Sequence, residues 1–124
     1  MTTPARAGIT KHMLIYKIFR GPEWAEFNAN GKTRGAPIDL SDGYIHFSTG
    51  VQVVETCKKH FAGVEGLKLL VLDSEDFGKY LKWEPSRGGA LFPHLYRSLR
   101  QEDVMWQTDL PLGPKGHIFP EGVT

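Results

Sequence analysis

Polar and apolar positions alternate most clearly along Gly43-Tyr44-Ile45-His46-Phe47-Ser48-Thr49. Strand side chains point to opposite faces at successive residues, so this stretch reads as a strand with Ile45 and Phe47 on its core face. Tyr44, His46 and Ser48 then share the other face. Packing alone does not call for a phenol, an imidazole and a hydroxyl in a row. Met13 to Phe19 is a second strand, rich in β-branched and aromatic residues. Leu14, Tyr16 and Ile18 lie on one of its faces, with Ile15, Lys17 and Phe19 on the other. Among such neighbours Lys17 reads first as an edge lysine whose head reaches solvent. A lysine at a polar site is the second reading.

The helical signals are fewer. Gly21-Pro22-Glu23 opens a short helix with proline in its first turn; Trp24 and Phe27 share a face, and Gly31 is a stop. Residues 32 to 42, with Gly35, Pro37, Asp39, Ser41 and Asp42, read as a loop. Thr49 and Gln52 form a capping box for a longer helix whose apolar stripe is Val51, Val54, Cys57 and Phe61, closed by Gly63. Cys57 lies on that stripe, which makes it a buried small hydrophobe more readily than a nucleophile. Lys58, Lys59 and His60 suit the helix C-terminus as a solvated edge. Leu67 to Asp73 is a buried strand, 74 to 78 a turn or single helical turn, and 80 to 84 and 104 to 108 are further strands. About six short strands, one main helix and one or two short helices make an α+β domain. The expected organisation is a mobile segment over residues 1 to 12 and a single domain over 13 to 124.

Composition narrows the class. With 124 residues, 40% hydrophobic and 23% charged, the chain can bury a core without disulfide or metal staples. A net charge of +1, with both signs interspersed, supplies no footprint for DNA or an anionic membrane. Leu69 to Leu72, the longest apolar run, is too short to span a bilayer. The single cysteine rules out an internal disulfide, and the first residues lack the apolar core of a signal peptide. A cytoplasmic protein acting on a small-molecule ligand, with neither DNA nor membrane as partner, is the expectation.

The candidate chemistry centres on His46 and on His94 in Phe92-Pro93-His94-Leu95-Tyr96. Imidazoles serve as acids, bases or hydrogen-bond donors near neutral pH. One histidine on a strand is more often structural; two, each beside an aromatic, weigh as much for a site as against it. Glu84 or Asp109 would be needed as a third metal ligand, and the spacing of a metal site is missing. A Ser48–His46 dyad is disfavoured because side chains two apart on a strand run parallel. In Trp83-Glu84-Pro85-Ser86-Arg87-Gly88-Gly89-Ala90 the paired glycines permit close approach of a ligand, and Arg87 suits a phosphate or carboxylate. The plainer reading is a hairpin turn with a solvated arginine. No dinucleotide or Walker glycine fingerprint is present.

Ile15 to Ile18, Asp42 to Thr49, Lys82 to Tyr96 and Leu110 to Gly113 together closely resemble the bacterial family catalogued as domain of unknown function 952, over about residues 13 to 120. Its members are sometimes labelled glutathione S-transferase-related, and it is grouped by fold with the ADP-ribosyltransferases. That resemblance implies a split, twisted β-sandwich gripping NAD. It implies that Tyr16-Lys17 stands where those enzymes contact ribose or phosphate, and His46-Phe47-Ser48-Thr49 where they border the nicotinamide. The strand that usually carries a catalytic glutamate reads Gly89-Ala90-Leu91-Phe92-Pro93-His94, without one; Glu84 is near in sequence but outside the motif. The implied site therefore has His46 and His94 as catalytic candidates and Lys17, Tyr44, Ser48, Thr49, Arg87 and Tyr96 as ligand contacts. The implied function is recognition of a nucleotide-like small molecule, with NAD or ADP-ribose as candidates and transferase activity on it as a further possibility; no cofactor is certain, and NAD is a candidate substrate. The rival expectation is a non-catalytic binding domain that kept the fold and lost the glutamate. An RNA-acting phosphotransferase of this fold would want a more basic surface.

Overall fold

The computed structural model describes residues 13–123, the side chain of Arg87 excepted. The lead-in expected over residues 1–12 and the final residue lie outside the described residues, as does any role of the Arg87 side chain. The fold is organised by an antiparallel sheet in which β1 (Leu14–Phe19) lies between β4 (Ser48–Thr49) and β5 (Leu67–Asp73), with β9 (Val104–Leu110) beyond β5. Both faces of β1 and β5 are covered, so these strands are mostly apolar runs without the alternation of a half-exposed strand, while β9 at the edge is largely exposed. On one face Ile15, Phe19, Leu70 and Leu72 pack with Ile45, Phe47, Phe77, Leu95 and Phe27. On the other face Tyr16, Ile18, Leu69 and Val71 pack with Val53, Cys57 and Val123.

The first of these layers is built on a second antiparallel sheet, β3 (Ile45–His46), β7 (Leu91–Leu95) and β6 (Leu81–Pro85), in the order β3-β7-β6. Helix α1 (Gly21–Asn30) closes that side, its Phe27 ring 5.9 Å from Phe19 and 6.0 Å from Trp24. Its start at Gly21-Pro22 and its left-handed stop at Gly31 (φ 76°) are where the sequence puts them. Helix α3 (Gly50–His60) covers the other face and carries the expected Thr49–Gln52 capping box. Two small pairs complete the fold, β2 (Lys32–Thr33) with β8 (Leu99–Arg100) and β10 (Leu112–Gly113) with β11 (Gly116–His117). The architecture is α+β with several small antiparallel sheets.

Four sequence expectations change. Residues 32 to 42 are not a plain loop: after β2 they form the helix α2 (Pro37–Asp42). Pro37 at its first turn and Gly43 in left-handed conformation (φ 87°) are helix punctuation, which a count of turn-forming residues mistakes for loop. The apolar stripe of α3 is rotated, so that Val51 is 82% exposed while Val53 and Cys57 are buried. The stretch from 43 to 49 is two strands instead of one. Lys17, expected at an edge, sits on an interior strand and is 7% exposed.

Candidate functional site

The split of residues 45–49 makes the site. Thr49 and Ser48 pair with Ile15 and Tyr16 of β1, and there the pairing stops. The chain turns at Phe47, whose N–H donates to the Pro93 carbonyl at 2.9 Å. Ile45 and His46 then pair with Leu95 and His94 of the second sheet. From Lys17 onward, β1 is thus left without a strand on that side. The gap between the sheets is a cavity of about 560 Å³, bordered by β1, the start of α2, α3 and β7.

Lys17, Arg20, His46, His60 and His94 line it, together with Ser48, Thr56, Ser86 and the rings of Phe47, Phe61 and Phe92. Among the described residues, no carboxylate lines this cavity. The acids stand one layer back. Asp39, 1% exposed, accepts from Lys17 Nζ at 2.8 Å, from the Ala36 N–H at 2.7 Å and from His46 at both its N–H (3.0 Å) and its Nδ1 (2.6 Å). Lys17 Nζ also donates to the His46 carbonyl at 2.8 Å. Burial alone would raise the Asp39 carboxyl, but the His46 hydrogen bond and the Lys17 charge overcome it and hold the group at about 2. Burial pushes the Lys17 ammonium down, against the pull of Asp39.

This fixes the sign of one pH effect. Asp39 has a folded value below its unfolded one, so its contribution is fully present above about pH 4 and is lost as pH falls toward 2. The contribution is about 2 kcal/mol. Denaturant unfolding at pH 5 and pH 2.5 should show that loss, and in an Asp39→Asn variant the difference between the two pH values should shrink.

His46 is clamped at both ends, since its Nε2 lies 2.9 Å from Asp42. Only a ring protonated at both nitrogens donates to both carboxylates. Neither nitrogen is then left for a ligand. His94 is held differently. Its Nδ1 is 2.7 Å from Glu84, whose same oxygen accepts from the Tyr96 hydroxyl at 2.8 Å. The His94 hydrogen bond, and then that of Tyr96, draw the Glu84 carboxyl below its ordinary value. Burial, reinforced by the Glu84 contact, pushes the Tyr96 phenol up to about 12. His94 itself is 2% exposed, and its Nε2 is buried without a hydrogen-bond partner.

The structure thus brings Lys17, His46, Ser48 and His94 to one cavity. Tyr44 and Tyr96 border a much smaller cavity of about 70 Å³ instead, although Tyr44 stacks on His94 with ring centroids 4.2 Å apart. Thr49 is spent on capping α3. Ser48 Oγ lies 3.1 Å from Thr56 Oγ1, away from any dyad with His46. Asp109 pairs with Lys68 at 2.7 Å, and among the described residues no group of three or more His, Cys, Asp or Glu is placed to hold a metal ion. Burial raises the Cys57 thiol, which lies 3.4 Å from His117 Nδ1; such a thiol is inert. No helix of the described residues is long and apolar enough to cross a membrane.

Sequence reasoning missed Asp39, Arg20 and the pairing of Glu84 with His94. For Glu84 a signal existed. It lies opposite Phe92 in the β6–β7 register, which makes His94 its diagonal neighbour on the same face.

Fold and site together define an α+β protein with a cation-lined cleft between two antiparallel sheets. The chain belongs to the family described as protein of unknown function (DUF952), whose profile matches residues 18–107. It is similar to protein CC0527 from Caulobacter crescentus, with 48% identity over 84% of this chain and 91% of that one, and the crystal structure of that protein superposes with a TM-score of 0.80. The solution NMR structure of CC0527 superposes with a TM-score of 0.76, over 84% of this chain and 90% of that one. No curated protein matches the chain.

Proposed function

We propose that the inter-sheet cavity binds a nucleotide-like anion, with NAD and ADP-ribose as the reference ligands, and that the fold is a split sandwich of the ADP-ribosyltransferase kind. The observation that carries this reading is the lining. Lys17, Arg20 and three histidines border the cavity with phenylalanine rings between them, and no described carboxylate does. Cations favour phosphate, and rings favour a flat base or nicotinamide. The volume is within the range of small-ligand pockets. The same lining favours binding over ordinary ADP-ribosyl transfer, which wants a glutamate at the ribose. Glu84, the acid nearest the motif, is instead committed to His94 and Tyr96.

The test is a thermal-shift titration with NAD, ADP-ribose, AMP, nicotinamide and glutathione. A ligand of the native state raises Tm with the logarithm of its excess over Kd. NAD or ADP-ribose should shift the protein and glutathione should not. Arg20→Ala removes a half-exposed cation and should weaken the phosphate-bearing ligands about tenfold, a loss of ~1.4 kcal/mol. A flat response to every phosphate-bearing ligand at millimolar concentration sinks the proposal.

A further inference from the structure

We propose that His94 Nε2, set by Glu84 and Tyr96, accepts a hydrogen bond from a hydroxyl of the bound ligand, and that Glu84 is the positioning residue that keeps it an acceptor. This rests on the reading of the cavity as a nucleotide-like anion site, and it specifies what else the ligand must carry.

An ionised Glu84 only accepts, and its Oε1 receives the Tyr96 hydroxyl as well as His94. The His94 proton therefore sits on Nδ1, and in the neutral ring Nε2 bears a lone pair. That atom is buried without a partner, a state that costs about 1–3 kcal/mol unless something donates to it. His94 lines the large cavity, whereas Glu84, which holds the opposite nitrogen, does not. Nε2 is thus the nitrogen of a cavity-lining residue that Glu84 leaves free. It is covered by its neighbours, and the rings packed on His94 are the half-buried Tyr44, at 4.2 Å, and His46, at 5.3 Å. His46 is fixed by Asp39 and Asp42, so a donor reaches Nε2 when the stacked Tyr44 ring gives way.

The second histidine does not compete for this role, because both of its nitrogens face carboxylates. Lys17 and Arg20, by contrast, can only donate; Lys17 already gives to Asp39 and the His46 carbonyl and Arg20 lies 3.6 Å from Glu23, so what they offer a ligand is their remaining N–H groups. The site asks for a molecule with an anionic group at one end and a hydroxyl donor at the other. A phosphate alone meets half of the demand, and so does an uncharged sugar.

The experiment compares AMP with 2′,3′-dideoxy-AMP by calorimetric titration of the full chain, alongside ring-¹⁵N NMR of the histidines. The expected result has three parts. His94 is protonated at Nδ1 in the unliganded protein. AMP binds at least tenfold more tightly than the dideoxy analogue. AMP, and not the analogue, shifts the His94 Nε2 resonance. Glu84→Ala should abolish the preference, while Glu84→Gln, whose carbonyl oxygen can still accept from Nδ1, should retain most of it. Thermal unfolding of each variant separates a lost preference from a lost fold. Equal binding of the two nucleotides, with His94 unmoved, overturns this inference and leaves the anion site standing. An Nε2-protonated ring in the unliganded protein overturns it whatever binds. Failure of every nucleotide to bind removes the proposed function and this inference together.

Discussion

An Asp39→Ala variant should lose about 4 kcal/mol of stability, read as a fall in the denaturant midpoint at unchanged slope. One carboxylate holds four donors. Its removal strands the buried ammonium of Lys17 and leaves the Ala36 N–H, the His46 N–H and His46 Nδ1 without the acceptor they share. The largest part of the cost is the uncompensated charge, because an ion taken out of water must be matched. That attribution has its own check. A Lys17→Met, Asp39→Leu double variant removes the buried ammonium together with its partner, so it should be more stable than Asp39→Ala although it lacks the same hydrogen bonds. If the double variant proves the weaker protein, the orphaned N–H groups dominate instead.

Gly35→Ala should be the next most damaging single change, at about 3 kcal/mol. Gly35 adopts φ +104°, and a Cβ placed there would stand 2.6 Å from Asp39 Cβ and 2.7 Å from its Cγ, closer still to its carboxylate oxygen. Such an overlap is cheap only when the neighbour can swing aside. Asp39 cannot, because four hydrogen bonds fix it. Gly31→Ala is the control: its φ is also positive, at +76°, but nothing lies within 4 Å of the added carbon. That variant should lose only about 1 kcal/mol. Comparable losses in the two, by thermal or chemical unfolding, would mean that the backbone conformation and not the Asp39 contact sets the cost at residue 35.

Periodicity exposes whatever depends on near neighbours. Capping of α3 by Thr49 and Gln52, the stop at Gly31 and the strands β1, β5 and β9 all follow from residues within a few positions of one another. Lys17 shows where this ends. Alternation places it correctly on the face of Ile15 and Phe19, but its environment comes from Asp39, 22 residues away, and from β5 pairing on one side of β1 while β4 stops just short of it on the other. Val51 and Val53 fail for a related reason: both fit a helical stripe, and only the docked orientation of α3 chooses between them. For the site, His46 and His94 are visible as chemistry out of place. Their unlike roles are not, because these are set by Asp39 and Asp42 for one ring and Glu84 for the other. The division of 45–49 between two sheets has no local mark at all, since Ile45 and Phe47 are equally apolar on either side of it.

That division bears on the order in which the molecule assembles. The segment is secured only when β1 has paired with residues 48–49 and β7, more than forty positions further along, has paired with residues 45–46. Each closure fixes a long stretch of chain before its contacts repay the entropy. The long β1–β5 and β5–β9 ladders and the β6–β7 hairpin can form without it. The joint at Phe47, and with it the cavity, is therefore complete only when both sheets are in place.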